Sequence, residues 1–268
     1  MAKEYPQAQL TYKAVIEVYR CCRKRKTHTT QAKEFEFYRE KNLYRLYEDL
    51  KNEQYEIGES ICFIVSDPKY REVWAGSYRD RIVHHLIYNA LCERFHNRFI
   101  FDTYSCIPQR GTLKGGKRAI HFAKSATQNF SKKAYFLKMD IKNYFVTIDK
   151  QILFKELSKY VQEQWLINLI SQVLFHDPRE NVIIKSPKKL YEKLPPYKSL
   201  FNSPKDKGLP IGNLTSQFFS NVYLNPLDQF IKHELKCKKI IKNWQNSESK
   251  YEKEALIDFR NSITAIMD

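Results

Sequence analysis

The stretch YFLKMDIKNYF, Tyr135 to Phe145, decides how this chain reads. Side chains alternate across a strand. Over Ala134–Ile141 that alternation puts Tyr135, Leu137, Met139 and Ile141 on one face. Phe136, Lys138 and Asp140 share the other. The segment therefore predicts a mostly apolar strand ending on a carboxylate, followed by the aromatic pair Tyr144-Phe145. An Asp in that position suits Mg²⁺, a hard cation that takes oxygen ligands and keeps water and phosphate oxygens around it. The same Asp is equally read as the residue that ends a strand and opens a turn.

Downstream lies GLPIGNLTSQ, Gly208–Gln217, immediately before a run with a helical apolar stripe: Leu214, Phe218, Val222, Leu227, Ile231 and Leu235. Gly212 allows close backbone approach, and Thr215, Ser216 and Gln217 put polar groups in the first turn. That suits contact with a nucleotide or a template base, and it also describes an ordinary helix cap. Pro226 is expected to kink or divide the helix.

Other elements follow from spacing. Val15, Ile16 and Tyr19 predict one helix; Phe35, Tyr38, Leu43, Leu46 and Leu50 predict another. Ile61–Val65 and Val73–Ala75 flank Ser66-Asp67-Pro68 and predict a hairpin. Ile82, Val83, Leu86, Ile87, Ala90 and Leu91 repeat at helical spacing. Residues 109–116 read as a loop, with a helix after it to about Ala126. Asp149 is placed to cap a helix through Ile152, Leu153 and Leu157, and Trp165–Phe175 is another helix. Asp177–Gly208, rich in Pro and Lys, reads as an irregular exposed loop with a short strand at Val182–Ile184. One further helical stretch is expected in the polar tail.

The 268 residues carry 46 Lys and Arg against 30 Asp and Glu, a formal charge of +16. An excess of that size favours a polyanionic partner, nucleic acid first and an anionic membrane surface second; the block Arg23–Lys26 adds to it. Arg110, Lys114, Lys117 and Arg118 are candidates for backbone phosphates, or an ordinary solvated face. The six cysteines form no CxxC pair and no zinc spacing. They fit reduced thiols in a cytoplasmic protein. No signal segment opens the chain, and no apolar run is long enough for a membrane span.

Several ordered motifs together resemble the reverse transcriptases. MDIKNYFVTI (Met139–Ile148) resembles their first palm motif. GLPIGNLTSQFFSNVYLNPLDQFIKHEL (Gly208–Leu235) resembles the later palm motif and its helix, 72 residues separating Asp140 from Gly212. RDRIVHHLI (Arg79–Ile87), RFIFDTYSCIPQRGT (Arg98–Thr112) and KGGKRAIHFA (Lys114–Ala123) are similar to the preceding fingers motifs. The resemblance spans about Ile61 to Leu235. The form Ile211-Gly212-x-x-x-Ser216-Gln217 is similar to the diversity-generating retroelement branch.

The resemblance implies an α+β right-hand polymerase, with fingers and an incomplete palm and with the thumb absent. It divides the chain into a basic helical extension (1–55), fingers and palm (56–236) and a divergent or truncated tail (237–268). It implies RNA-directed DNA polymerase activity, copying template RNA from a DNA primer into cDNA with deoxynucleoside triphosphates and Mg²⁺, or Mn²⁺ in its place. In that branch copying errs opposite adenines, the product replaces part of a target gene, and a small basic accessory protein assists. Asp140 becomes the first metal-ligating carboxylate, with the Ile141 carbonyl beside it. Phe145 matches the bulky position that screens the sugar 2′ position, and otherwise is core. Ile211, Gly212 and Gln217 lie by the incoming nucleotide or its template partner. Lys69 and Arg71, with Arg79 as competitor, meet the triphosphate; otherwise they are solvated hairpin charges. A group II intron-like or antiphage-defence reverse transcriptase is the near alternative. A catalytically inactive nucleic-acid-binding module is the alternative of another class.

The family's Y-x-D-D motif does not occur in the sequence. A downstream remainder, a degenerate gene, or a second ligand at Asp258 or Asp268 are the three explanations. The terminal Ile266-Met267-Asp268 resembles the start of such a motif.

Overall fold

The computed structural model describes residues 8–24, 29–67, 69–138, 140–237 and 239. The expected helix of the tail, Arg25 and Lys26 of the basic block, Asp258, and Ile266–Asp268 lie outside the described residues. The protein is mixed α+β, predominantly helical with a three-stranded sheet. It divides into two compact units, residues 1–97 with 143–223 and residues 98–142 with 224–268.

The first unit begins with α1 (Tyr12–Arg23), α2 (Thr30–Phe37) and α3 (Arg39–Lys51). The single helix expected over 35–50 is two, broken at Tyr38, whose backbone (φ −114, ψ 38) leaves the helical region. Thr11 and Thr29 cap α1 and α2 by accepting from Ala14 N and Ala32 N. Val15, Val18, Tyr19 and Cys22 of α1 and Leu43, Leu46 and Leu50 of α3 are buried. Each fully buried Leu or Val contributes about 1.5–3 kcal/mol.

The hairpin forms as predicted. β1 (Ser60–Val65) pairs antiparallel with β2 (Arg71–Ala75), from Ile61 opposite Ala75 to Val65 opposite Arg71. Ser77 then caps α4 (Tyr78–His96). Asp80, buried in its first turn, accepts from Tyr55 Oη at 2.6 Å, Ser77 Oγ at 2.8 Å and Gly58 N at 3.1 Å. These three donors satisfy the hydrogen-bonding capacity that burial of the side chain would otherwise leave unmet.

After the second unit's first segment the chain returns with the short helix α6 (Tyr144–Thr147), then α7 (Lys150–Ser158) and α8 (Gln164–Phe175). Asp149 Oδ1 caps α7, accepting from Gln151 N and Ile152 N at 3.0 Å each. Arg94 and Glu163 join α4 to the start of α8 in a buried pair, at 2.5 Å and with side chains 7% and 6% exposed. That hydrogen bond from Arg94 chiefly holds the Glu163 carboxyl down at about 2.

The 177–208 segment is irregular but largely tied down. β3 (Val182–Ile184) adds to β1 in parallel, and α9 (Lys188–Tyr191) follows. Arg179 grips Asp177 with two hydrogen bonds of 2.7 Å and donates to the carbonyls of Leu200 (3.1 Å) and Ser203 (2.7 Å). Leu194 and Leu200 are buried. The expected exposed loop is therefore exposed on one side only. α10 (Leu214–Gln229) starts in the first unit and ends in the second. It runs through Pro226 and loosens into a π-helical turn at Phe230–Glu234 instead of dividing there.

In the second unit, α5 (Thr112–Ala126) starts earlier than expected and contains Gly115 and Gly116. A Cβ on Gly115 would stand 3.2 Å from a Tyr104 ring carbon, so this helix packs on Tyr104 through a residue without a side chain. The predicted strand over 134–141 is absent: residues 133–138 and 140–141 are irregular. Tyr135, Phe136 and Leu137 are exposed, at 106%, 65% and 77%. A strand needs a neighbouring backbone to pair with, and among the described residues 133–138 and 140–141 join no sheet.

Candidate functional site

Three stretches separated in sequence meet around Gly208–Asn213 in the first unit. On one side this segment pairs with the α6 region. Gly208 N donates to Ile148 O and Leu209 N to Phe145 O, both at 2.8 Å. Gly208 takes φ +85, and a Cβ there would meet Leu200 Cδ1 at 2.7 Å. On the other side the segment lies against β2. Trp74 N donates to Ile211 O at 2.6 Å, and Gly76 N to Asn213 Oδ1 at 3.2 Å.

Gly212 sits between these two bonds at φ +132. A Cβ added there would stand 2.3 Å from Trp74 O and 2.9 Å from Val73 Cγ1. Gly212 is thus required by the approach of this segment to the hairpin. Arg71 and Val73 are two apart on β2 and share a face. The face that meets Gly212 therefore carries Arg71 at its start. Arg71 Nη1 is buried without a hydrogen-bond partner among the described residues.

Tyr144 and Phe145 are both buried, rings 5.6 Å apart, and Tyr144 Oη donates to Ser220 O at 2.6 Å on α10. Phe145 is core in this unit, at 4% exposed. Gln217 is half-buried in the first turn of α10. Ile211, Gly212 and Gln217 therefore belong to one neighbourhood with the hairpin and the aromatic pair. Lys69 is exposed at the hairpin turn. Arg79 is engaged elsewhere: it pairs with Asp49 at 2.5 Å, donates to Glu56 O at 3.0 Å and stacks 4.9 Å over the Tyr55 ring. That bracket gives it a structural task.

The remaining candidates lie in the second unit. Arg110 donates to the carbonyls of Phe101 (2.6 Å) and Thr103 (3.0 Å). Arg118 pairs with the buried Asp102 at 2.8 Å and stacks 4.4 Å over Phe122. Both also stand over the exposed ring of Phe101, at 5.3 and 5.5 Å. These two arginines fix the loop before α5, while Lys114, Lys117, His121 and Lys124 are exposed on α5 itself. Those four recur at intervals of three or four residues, so they form one face. α5 contains no Asp or Glu. Over residues 98–142, ten Lys and Arg face two acids, Asp102 and Asp140.

Asp140 and Ile141 are exposed in the irregular segment. The Asp140 carboxylate and the Ile141 carbonyl suit one hydrated divalent ion. They do not make a two-ion centre, and among the described residues no group of three His, Cys, Asp or Glu could hold a metal.

One feature of the first unit was not legible in the sequence. A cavity of about 30 Å³ is lined by Asp80, His84, His176, Asn213 and Thr215 among others, the space of one or two waters. His84 Nδ1 and Thr215 Oγ1 are 2.8 Å apart. His176 Nε2 is buried without a hydrogen-bond partner among the described residues, and burial lowers its pKa. These residues come from α4, the end of α8 and the start of α10, and no spacing rule joins them.

Among the described residues no helix is long and apolar enough to cross a membrane. The chain matches no protein-family model and no curated protein.

Proposed function

We propose that the chain is the fingers and part of the palm of a reverse transcriptase, closest to the diversity-generating retroelement branch. The reaction is template-directed addition of deoxynucleotides to a DNA 3′ end on RNA, in the cytoplasm. The observation that carries the reading is the junction at Gly208–Asn213. Two segments that resemble palm motifs, Tyr144-Phe145 and IGNLTSQ, are hydrogen-bonded there to each other and to the hairpin, which lies within the span of the resemblance.

In this reading Lys69 and Arg71 neutralise the triphosphate, with Arg71 entering from the hairpin face that meets Gly212. Ile211, Gly212 and Gln217 border the nucleotide or its template base, and Phe145 backs the sugar. Lys114 and Lys117 on α5 meet template phosphates, and Arg110 and Arg118 hold that helix's approach loop. Such contacts give affinity without sequence preference. Mg²⁺, or Mn²⁺, held by Asp140 and the Ile141 carbonyl would supply positive charge at the phosphates.

The second reading is a nucleic-acid-binding module without activity, favoured by the single exposed carboxylate of the 133–142 segment. Extension of a DNA primer on an RNA template, run beside RNA binding at several salt concentrations, separates the two. Extension supports the polymerase. Salt-sensitive binding with no extension supports the module.

A further inference from the structure

The 185–198 segment, KSPKKLYEKLPPYK, belongs to no motif used above. It has two distinct sides. The inner side is fixed to the sheet of the first unit. Lys185 N donates to Cys62 O at 2.9 Å, Ile64 N to Ser186 Oγ at 2.9 Å, and Tyr191 Oη to Cys62 Sγ at 3.2 Å. Leu194 and Leu200 are buried, and Leu200 packs with Cys62 and Trp74.

Glu72 completes the anchor. It is 3% exposed and accepts from Trp74 Nε1 (2.7 Å), from Leu200 N (2.9 Å) and from Ser199 Oγ. A buried carboxylate with three donors locks the end of the segment to β2.

The outer side is basic. Lys185, Lys188, Lys189, Lys193 and Lys198 are all exposed, and Glu192 is the only acid among these residues. None of the five forms an ion pair among the described residues. Lys193 stands 5.6 Å over the Tyr70 ring and Lys198 6.0 Å over the Tyr197 ring. A lysine run on a free linker pays conformational entropy to line up on a ligand. Here the backbone is already held by its inner side.

We propose that residues 185–198 form a second polyanion-binding surface, one that takes the phosphate backbone of a nucleic acid. Lysine heads without acidic partners recognise phosphate as point charges and read no bases. Within residues 185–198 Leu194 is buried and Leu190 half-buried, while Ile184 beside Lys185 is exposed. Five lysines against one acid over fourteen residues make charge the dominant feature of this side, which favours the phosphate backbone of a nucleic acid over a membrane. The proposal stands apart from the polymerase reading, because binding requires no catalysis.

The test uses the full chain without nucleotides and a labelled RNA duplex of about 20 base pairs, titrated between about 50 and 200 mM KCl. In the variant Lys188→Gln/Lys189→Gln/Lys193→Gln, the slope of log K against log [KCl] should become shallower by about 2–3, near 0.9 per lost phosphate contact. The unfolding midpoint should not move. A parallel variant, Lys114→Gln/Lys117→Gln/Lys124→Gln, should shift the slope independently. An unchanged slope in the first variant overturns the proposal. So does a slope that the α5 variant alone brings to zero. Loss of binding to phosphatidylserine vesicles with RNA binding intact also overturns it, and assigns the surface to membranes. Failure of primer extension leaves these outcomes untouched.

Discussion

Replacing Gly212 with Ala tests whether the IGN segment is built on the hairpin as described. The added methyl carbon would lie 2.3 Å from Trp74 O and 2.9 Å from Val73 Cγ1. The first contact is with backbone and cannot be relieved by a rotamer change. Holding Ala at φ +132 adds strain of about 1–3 kcal/mol. Overpacking adds about 1–3 kcal/mol more. The sum, about 2–6 kcal/mol, is a large fraction of the roughly 5–15 kcal/mol that stabilises an ordinary domain. Relief requires the segment to leave β2, breaking the 2.6 Å bond from Trp74 N to Ile211 O. Urea unfolding followed by circular dichroism and tryptophan fluorescence measures the cost. A loss below about 0.5 kcal/mol, the scale of a neutral surface change, would refute the claim that this glycine is demanded by the hairpin.

Gly116→Ala should do the reverse: nothing lies within 4 Å of its Cβ position, so thermal unfolding should show a gain of about 0.8–1 kcal/mol from helix propensity. Arg94→Met leaves Glu163 buried without its cation and should cost about 3–5 kcal/mol in urea. Glu163 also sets an acid limb, since its carboxyl is lowered from 4.5 to about 2 in the fold. Its contribution is complete above pH 4.5 and is lost as pH falls toward 2; in Arg94→Met that part of the stability–pH curve should flatten. His176, lowered by burial, binds its proton more readily unfolded, so its contribution is present above about pH 6.5 and declines below it; His176→Gln should remove that decline. Exchanging Ile211 and Gln217 for Gln and Pro should change misincorporation opposite adenine in an active enzyme, and an unchanged error spectrum counts against their place at the nucleotide.

Local signals were legible where one element carried its own explanation. The hairpin followed from two apolar runs about a turn, α7 from Asp149 as its cap, and β3 from a short apolar run. Signals failed where a distant partner decides. Tyr135–Ile141 has strand composition, but composition supplies no hydrogen-bonding neighbour. Gly115 and Gly116 look like loop residues until Tyr104 is seen against the helix. The lysine-rich 185–198 segment looks like a solvated loop until Glu72, more than a hundred residues earlier, is seen holding its end. Arg79, Arg110 and Arg118 read as free cations in sequence, yet each is engaged by an acid, a carbonyl or a ring. The meeting of hairpin, aromatic pair and IGN segment was implied only by the family resemblance, because no periodicity joins residues so far apart.

In the proposed polymerase Asp140 takes part in nucleotide addition. The direct measurement is the single-turnover rate of deoxynucleotide addition to an RNA-templated DNA primer in Mg²⁺, for the chain and for Asp140→Ala. Asp140 is exposed, so the substitution should alter stability by no more than about 0.5 kcal/mol and leave RNA binding intact. Addition should fall by a factor of about 100 or more in Asp140→Ala, the scale of losing a charged group from an electrostatically assisted transition state. Equal rates in the two proteins would contradict that role for Asp140.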